Sequence, residues 1–86
     1  MSADPPDELS IREWCVRYLA QTLDMPAEAI SPDDKFTRLG LDSATALQLV
    51  GDLEEWLGLL LEPEVIDDHP TIAALARYLA GQQRGG

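Results

Sequence analysis

Few of the 86 side chains are equipped for chemistry: one cysteine (Cys15), one histidine (His69), and a serine, Ser43, that the stretch Leu39-Gly40-Leu41-Asp42-Ser43-Ala44 delivers into a helical pattern. Ser43 is the one whose surroundings suggest a task. A Gly-containing loop that hands Asp-Ser to the first turn of a helix sets a hydroxyl at an exposed corner. There, unpaired backbone N–H groups and the positive end of the helix dipole favour an anion such as a phosphate ester. The same pair is also the ordinary signature of an N-cap, with Asp42 capping and Ser43 a bystander. Catalysis by the chain itself is not expected, because no base, oxyanion donors or Gly-rich phosphate loop accompany the serine. A lone cysteine can form neither an internal disulfide nor a cysteine-pair metal site, and no ligand constellation surrounds His69 beside Pro70. Cys15 is assigned to core packing, and no metal is expected.

Composition narrows the class. A chain of 86 residues supports one small core. The formal net charge is -10, which excludes nucleic acid as a partner, since phosphate binding needs Lys and Arg. Residues 39 to 76 hold eight acids and no Lys or Arg, so the negative field is concentrated after Gly40. Such a surface serves solubility or docks onto basic patches of larger proteins. No apolar run has the length of a membrane span, and the acidic start is unlike a signal peptide, so a soluble, cytoplasmic protein is expected; a monomer is expected as well. Met1 and the Gly-ending tail favour a free-standing protein over a segment of a larger one.

The elements that must position Ser43 are helical. Residues 1 to 8, with Pro5-Pro6 and three acids, are expected to be a flexible lead. Ser10 and Glu13 have capping-box spacing, and Ile11, Trp14, Cys15, Tyr18, Leu19 and Leu23 recur at helical period, which predicts a first helix over 10 to 24 with Glu13 and Arg17 paired on its outer face. Asp24-Met25-Pro26 stops it. A long loop to Asp42 is expected to be anchored by Ile30, Phe36, Leu39 and Leu41, with a helical turn near 33 to 38.

The second helix, 43 to 58, divides into two faces. Ala46, Leu49, Val50, Leu53 and Leu57 form a core stripe, while Ala44, Leu47, Gln48, Gly51 and Glu55 run outward from Ser43. Gly51 costs about 1 kcal/mol relative to Ala in a helix, so it either packs closely against another element or admits a partner. Trp56 is assigned to the base of the bundle and Gly58 to the helix end. Leu59-Leu60-Leu61 reads as a tight apolar connection, and 62 to 67 as a short third helix with Pro63 at its first position. Thr71 caps a last helix through Ile72, Leu75, Ala76 and Leu79 that Gly81 is expected to stop, leaving 81 to 86 as a flexible tail. The predicted fold is all-α, a small four-helix bundle of three main helices and one short one, with the folded unit over 9 to 80.

In this order the residues resemble the acyl carrier domains of polyketide and fatty acid synthesis. The resemblance rests on Leu39-Gly40-Leu41-Asp42-Ser43, the acidic second helix, and Asp68-His69-Pro70-Thr71-Ile72 leading into Leu75-Ala76-Arg77-Tyr78-Leu79. It implies that Ser43 receives a 4'-phosphopantetheine arm from coenzyme A through a separate phosphopantetheinyl transferase, and that the arm's thiol carries acyl groups as thioesters. It further implies that Asp42, Asp52, Glu54 and Glu55 steer basic docking surfaces, with Leu47 as the apolar contact among them. Ala44 stands where this family commonly has a larger aliphatic. With Gly51 it makes the chain look most like carriers that work beside fatty acyl-adenylate ligases feeding ketosynthases and other assembly-line enzymes. Two other readings compete: a peptidyl carrier of nonribosomal synthesis, against which Asp42 and the acidic second helix lean, and an unmodified acidic adaptor in which Ser43 merely caps.

Overall fold

The computed structural model describes residues 6–84. Four helices follow in order: α1 (Glu8–Thr22), α2 (Ser43–Leu57), α3 (Val65–Asp68) and α4 (Ile72–Arg84), with one 3₁₀ turn at Ala27–Ala29 in the long first loop. The fold is the expected all-α bundle. Its core is one stripe from each long helix: Ile11, Cys15 and Leu19 from α1, Leu49, Val50, Leu53 and Leu57 from α2, and Ile72, Leu75, Ala76 and Leu79 from α4. The 3.6-residue period makes these positions coincide on one face, and each fully buried Leu or Ile contributes about 1.5–3 kcal/mol of transfer free energy.

Helix α1 begins earlier than its sequence pattern suggests. Asp7, not Ser10, is the cap, and its carboxylate accepts the Ser10 amide at 2.8 Å. A charged cap at the positive end of the helix dipole outcompetes a hydroxyl one turn later. The added turn brings in Glu8, which bonds Arg12 at 3.1 Å; among the described residues this is the ion pair on α1, in place of the expected Glu13 and Arg17 pair. Most of the expected N-terminal lead lies outside the described residues, but Glu8 is helical. The other end closes as expected, with Asp24 in a left-handed conformation (φ 56°) and the Met25 amide reaching back to the Ala20 carbonyl.

The long loop is fastened at both layers. Ile30 and Phe36 are buried, with Leu39 and Leu41 packed against the core. Backbone bonds from Phe36 to the Pro70 carbonyl and from Ala73 to the Pro32 carbonyl staple it to the start of α4. The expected turn near 33 to 38 falls at 35–40, a single helical turn. It ends with the Leu41 amide on the Phe36 carbonyl and the Gly40 amide on Thr37, Gly40 having φ +91°. That is a Schellman closure, and it requires the left-handed residue that glycine supplies.

Three expectations after α2 need correction. Leu60 does not join an apolar connection: Leu59 and Leu61 pack inward, whereas Leu60 is 98% exposed, because an extended segment alternates its side chains. The short helix starts at Val65 rather than 62, since Pro63 and Glu64 belong to a preceding turn. Gly81 does not stop α4, which continues to Arg84. Nothing crowds that glycine, and the residues after it, Gln82, Gln83 and Arg84, are good helix formers that offset its cost. Residues 85 and 86 of the expected tail lie outside the described ones.

Candidate functional site

Ser43 is the first residue of α2, and its side chain is exposed. Two features of the chain hold it there. The Gly40 closure turns the loop toward the bundle, and Asp42 then caps α2, its carboxylate accepting the Thr45 amide at 2.8 Å. That amide, followed by the Thr45 hydroxyl, holds the Asp42 carboxyl below its ordinary pKa of 3.8. The Asp42 carbonyl takes the Ala46 amide. Among the described residues the Ser43 and Ala44 amides have no backbone or side-chain acceptor, so two donors remain open beside the hydroxyl.

A cleft of about 250 Å³ opens next to the hydroxyl, lined by Ser43, Ala46, Leu47, Pro63, Ile66 and Asp67. It lies between α2 and the short α3. Ala46 and Leu47 come from α2 itself, whereas Pro63, Ile66 and Asp67 are brought beside Ser43 only by the fold of the chain after α2. An exposed hydroxyl, open amides and an adjoining apolar cleft fit a phosphodiester with a long attached arm.

The outward stripe of α2 is real. Ala44, Leu47, Gln48, Gly51 and Glu55 are all exposed, with Leu47 at 55%. Gly51 meets no atom within 4 Å of where a Cβ would stand, which removes close internal packing as its explanation. Two of the acids grouped with this stripe also face other parts of the fold. Glu54 accepts the Leu61 amide at 2.9 Å and so fastens the chain where it leaves α2. Asp52 is half-buried and lies by the Tyr18 hydroxyl of α1; burial first, and this carboxylate second, push that phenol up to about 12. On the same side Trp56 stacks on Trp14 (ring centroids 5.0 Å apart) and Trp14 stacks on Tyr18 (5.0 Å), a three-ring ladder joining α2 to α1. Its sequence signal was the i, i+4 spacing of Trp14 and Tyr18; the partner across the bundle had none.

His69 is stacked on Tyr78, ring centroids 4.3 Å apart, and does not line the cleft at Ser43. Cys15 is buried, and desolvation pushes its thiol up to about 12, as suits a packing residue. Among the described residues no cluster of His, Cys, Asp and Glu could hold a metal ion, and no helix is long and apolar enough to cross a membrane.

Against known proteins, residues 13–79 match the family described as "Phosphopantetheine attachment site". The chain belongs to that family. Its prosthetic group is 4'-phosphopantetheine, and the family's members carry groups for other enzymes rather than catalyse. Along 99% of its length this carrier is 41% identical to part of a type I polyketide synthase of phenolphthiocerol synthesis from Mycobacterium bovis, of which it spans 4%. It is 33% identical to the acyl carrier protein TtuC of Teredinibacter turnerae over 84% of this chain and 83% of that one. A free-standing peptidyl carrier protein from Acinetobacter baumannii superposes with a TM-score of 0.85 at 42% identity, over 90% of this carrier and 96% of the other. The curated synthases are thus far longer than this chain, which corresponds to a small segment of each.

Proposed function

We propose that Ser43 is the hydroxyl that accepts the phosphopantetheine arm, and that the carrier holds acyl intermediates of polyketide or fatty acid synthesis on it. When attached, the arm supplies the thiol on which acyl groups ride as thioesters. The observation that carries this reading is the placement of an exposed Ser43 at the start of α2, beside open amides and an apolar cleft, inside the matched segment. The chain's own part is positional. Asp42 and Gly40 fix where the hydroxyl stands, the free amides favour the phosphodiester, and the activating base belongs to the phosphopantetheinyl transferase.

Partner selection is assigned to the exposed stripe. Leu47 offers an apolar contact, Glu55 and Asp42 a negative field, and Ala44, Gln48 and Gly51 a low surface that a ligase loop can approach. Asp52 and Glu54 contribute charge to that field, Glu54 while also fastening the chain where it leaves α2. The partners proposed are an acyl-loading enzyme, of which a fatty acyl-adenylate ligase fits the small residues, and a ketosynthase or other assembly-line enzyme downstream. If the smooth face matters, Ala44→Leu with Gly51→Leu lowers ligase-dependent loading at unchanged fold; equal loading rates would remove that role.

Similarity to a free-standing peptidyl carrier at 42% identity favours a second reading, in which the cargo is an aminoacyl group. Incubation with coenzyme A and a broad-specificity transferase tests the shared part: one arm is added, and none to Ser43→Ala. Loading of the resulting holo-carrier by acyl-adenylating and by aminoacyl-adenylating enzymes then separates the two cargoes.

A further inference from the structure

Helix α3 has two sides, and only one of them lines the cleft at Ser43. Ile66 and Asp67 belong to that cleft, whereas Val65 and Asp68, three residues apart and so on one side of the helix, line a separate groove of about 350 Å³ toward α4. The two hollows have no residue in common. Glu62, Glu64, His69 and Tyr78 also line the groove, His69 and Tyr78 with their rings stacked at 4.3 Å. Leu60 stands at it too, and at 98% it is the most exposed large apolar side chain among the described residues. The three carboxylates, Glu62, Glu64 and Asp68, are all exposed, and none is in an ion pair among the described residues. No Lys or Arg lines the groove. Arg77, next to Tyr78 in the chain, lines a depression at the seam of α1 and α4 with Glu8 and Arg12, and Lys35, whose backbone pairs with Thr71, lines no part of the groove. His69 is the one lining group that can become cationic, and a single positive charge leaves three carboxylates in excess.

The geometry points to this groove as a second docking surface, for a basic partner segment that sets an arginine among the carboxylates and the His69 and Tyr78 rings while an apolar side chain covers Leu60. Charge complementarity selects that occupant, because the field at the groove has one sign and no fixed cation offsets it. Arginine suits the lining better than lysine: a planar guanidinium can lie against a ring and still donate in fork fashion to a carboxylate. An acidic rim alone would serve solubility; a cavity and an almost fully exposed leucine beside it give a partner something to fill and to cover. Because the groove and the cleft lie on different sides of α3, a partner seated here leaves Ser43 and Leu47 accessible. The carrier can then be held at α3 and α4 by one protein while a second works at the Ser43 end. The surface is independent of what cargo Ser43 bears.

The test uses the intact carrier, labelled for amide NMR, titrated with a short synthetic helical peptide bearing leucine on one face and arginine on the other. A glutamate version of the peptide serves as the comparison. Because the acids of α2 also attract cations, the position of the shifts is what decides. The expected result is a saturable set of shifts at Leu60, Glu64, Asp68 and Tyr78 with the arginine peptide and none there with the glutamate peptide. Leu60→Ser, a change at a side chain that lies almost wholly in solvent, weakens the arginine peptide at these amides by about tenfold. Glu64→Gln with Asp68→Asn weakens it by about fivefold, whereas the same loss of two charges in the first loop, Glu28→Gln with Asp33→Asn, leaves it unchanged. Saturation confined to α2, groove shifts that Leu60→Ser leaves unaltered, or equal weakening by the two charge pairs would overturn the proposal. So would shifts of the same amides on raising the carrier's own concentration without peptide, which assign the groove to a second copy.

Discussion

Ser43 is useful because of what its neighbours do, and each neighbour can be removed separately. Asp42 secures the first turn of α2 through the Thr45 amide, so Asp42→Ala should speed amide exchange at Thr45 and Ala46 and slow transferase modification, with Ser43 still present. The sign of its pH dependence follows from a lowered pKa: the cap's contribution is complete above the ordinary carboxylate value and fades as pH falls through the lower, folded one. A pH series of Thr45 amide exchange would show it, and exchange that stays flat through the acid range would not fit. Gly51 gives a test of opposite sign. Its Cβ position is empty, so Gly51→Ala should raise stability by about 0.5–1 kcal/mol in denaturant unfolding. A loss would mean that the helix is more crowded there than its geometry indicates.

At the scale of elements, the aromatic ladder explains how α2 is held at a fixed distance from α1. Rings stacked at 5.0 Å fill the gap that smaller side chains would leave. Trp56→Ala exposes one face of Trp14 and removes a ring pair worth about 0.5–1.5 kcal/mol beyond its buried area, and unfolding should register a loss somewhat above that range. Unchanged stability would show that the stack is incidental. Helical period made α1, α2 and α4 and their core stripes legible in the sequence, because burial on one face must repeat every 3.6 residues. The ends were harder to read. Asp7 and Ser10 are both good caps, and which one acts depends on where the chain enters the bundle. Gly81 stops a helix only if a left-handed turn is needed there, and α4 has no need of one. Leu60 looks like core by type and is solvent-facing by position, a distinction set by the path of the loop.

For the whole molecule, two buried or shielded acids set the alkaline limit. The Tyr18 phenol and the Cys15 thiol are each pushed up to about 12, the first by burial and then Asp52, the second by burial. Both keep their protons in the folded state after the unfolded chain has lost them, so the unfolded state gains as pH rises. Stability should be fully present below the unfolded-state values, near 9 for the thiol and 10 for the phenol, and fall as pH climbs toward about 12. Thermal melts across that range, with Tyr18→Phe as the control that flattens part of the slope, would check it. Charge sorting is also a property of the whole. The acid-only run from 39 to 76 was visible in the sequence, yet its division of labour was not: Glu54 fastens the chain where it leaves α2, and Asp52 lies by the Tyr18 phenol. The cleft beside Ser43 was legible only on its α2 side, through Ala46 and Leu47, because Pro63, Ile66 and Asp67 reach it by way of a turn with no period to read.

The central claim is that the arm sits on Ser43, and the chain offers a direct way to locate it. Trypsin, cutting after Arg38 and Arg77, releases residues 39 to 77 as one fragment whose hydroxyl side chains, phenols aside, are Ser43, Thr45 and Thr71. After treatment with coenzyme A and a phosphopantetheinyl transferase, fragmentation mass spectrometry should place the whole mass of one arm on Ser43, and Ser43→Ala should show none. An arm found on Thr45, on Thr71 or outside this fragment, or a Ser43→Ala protein that is still modified, would contradict the account.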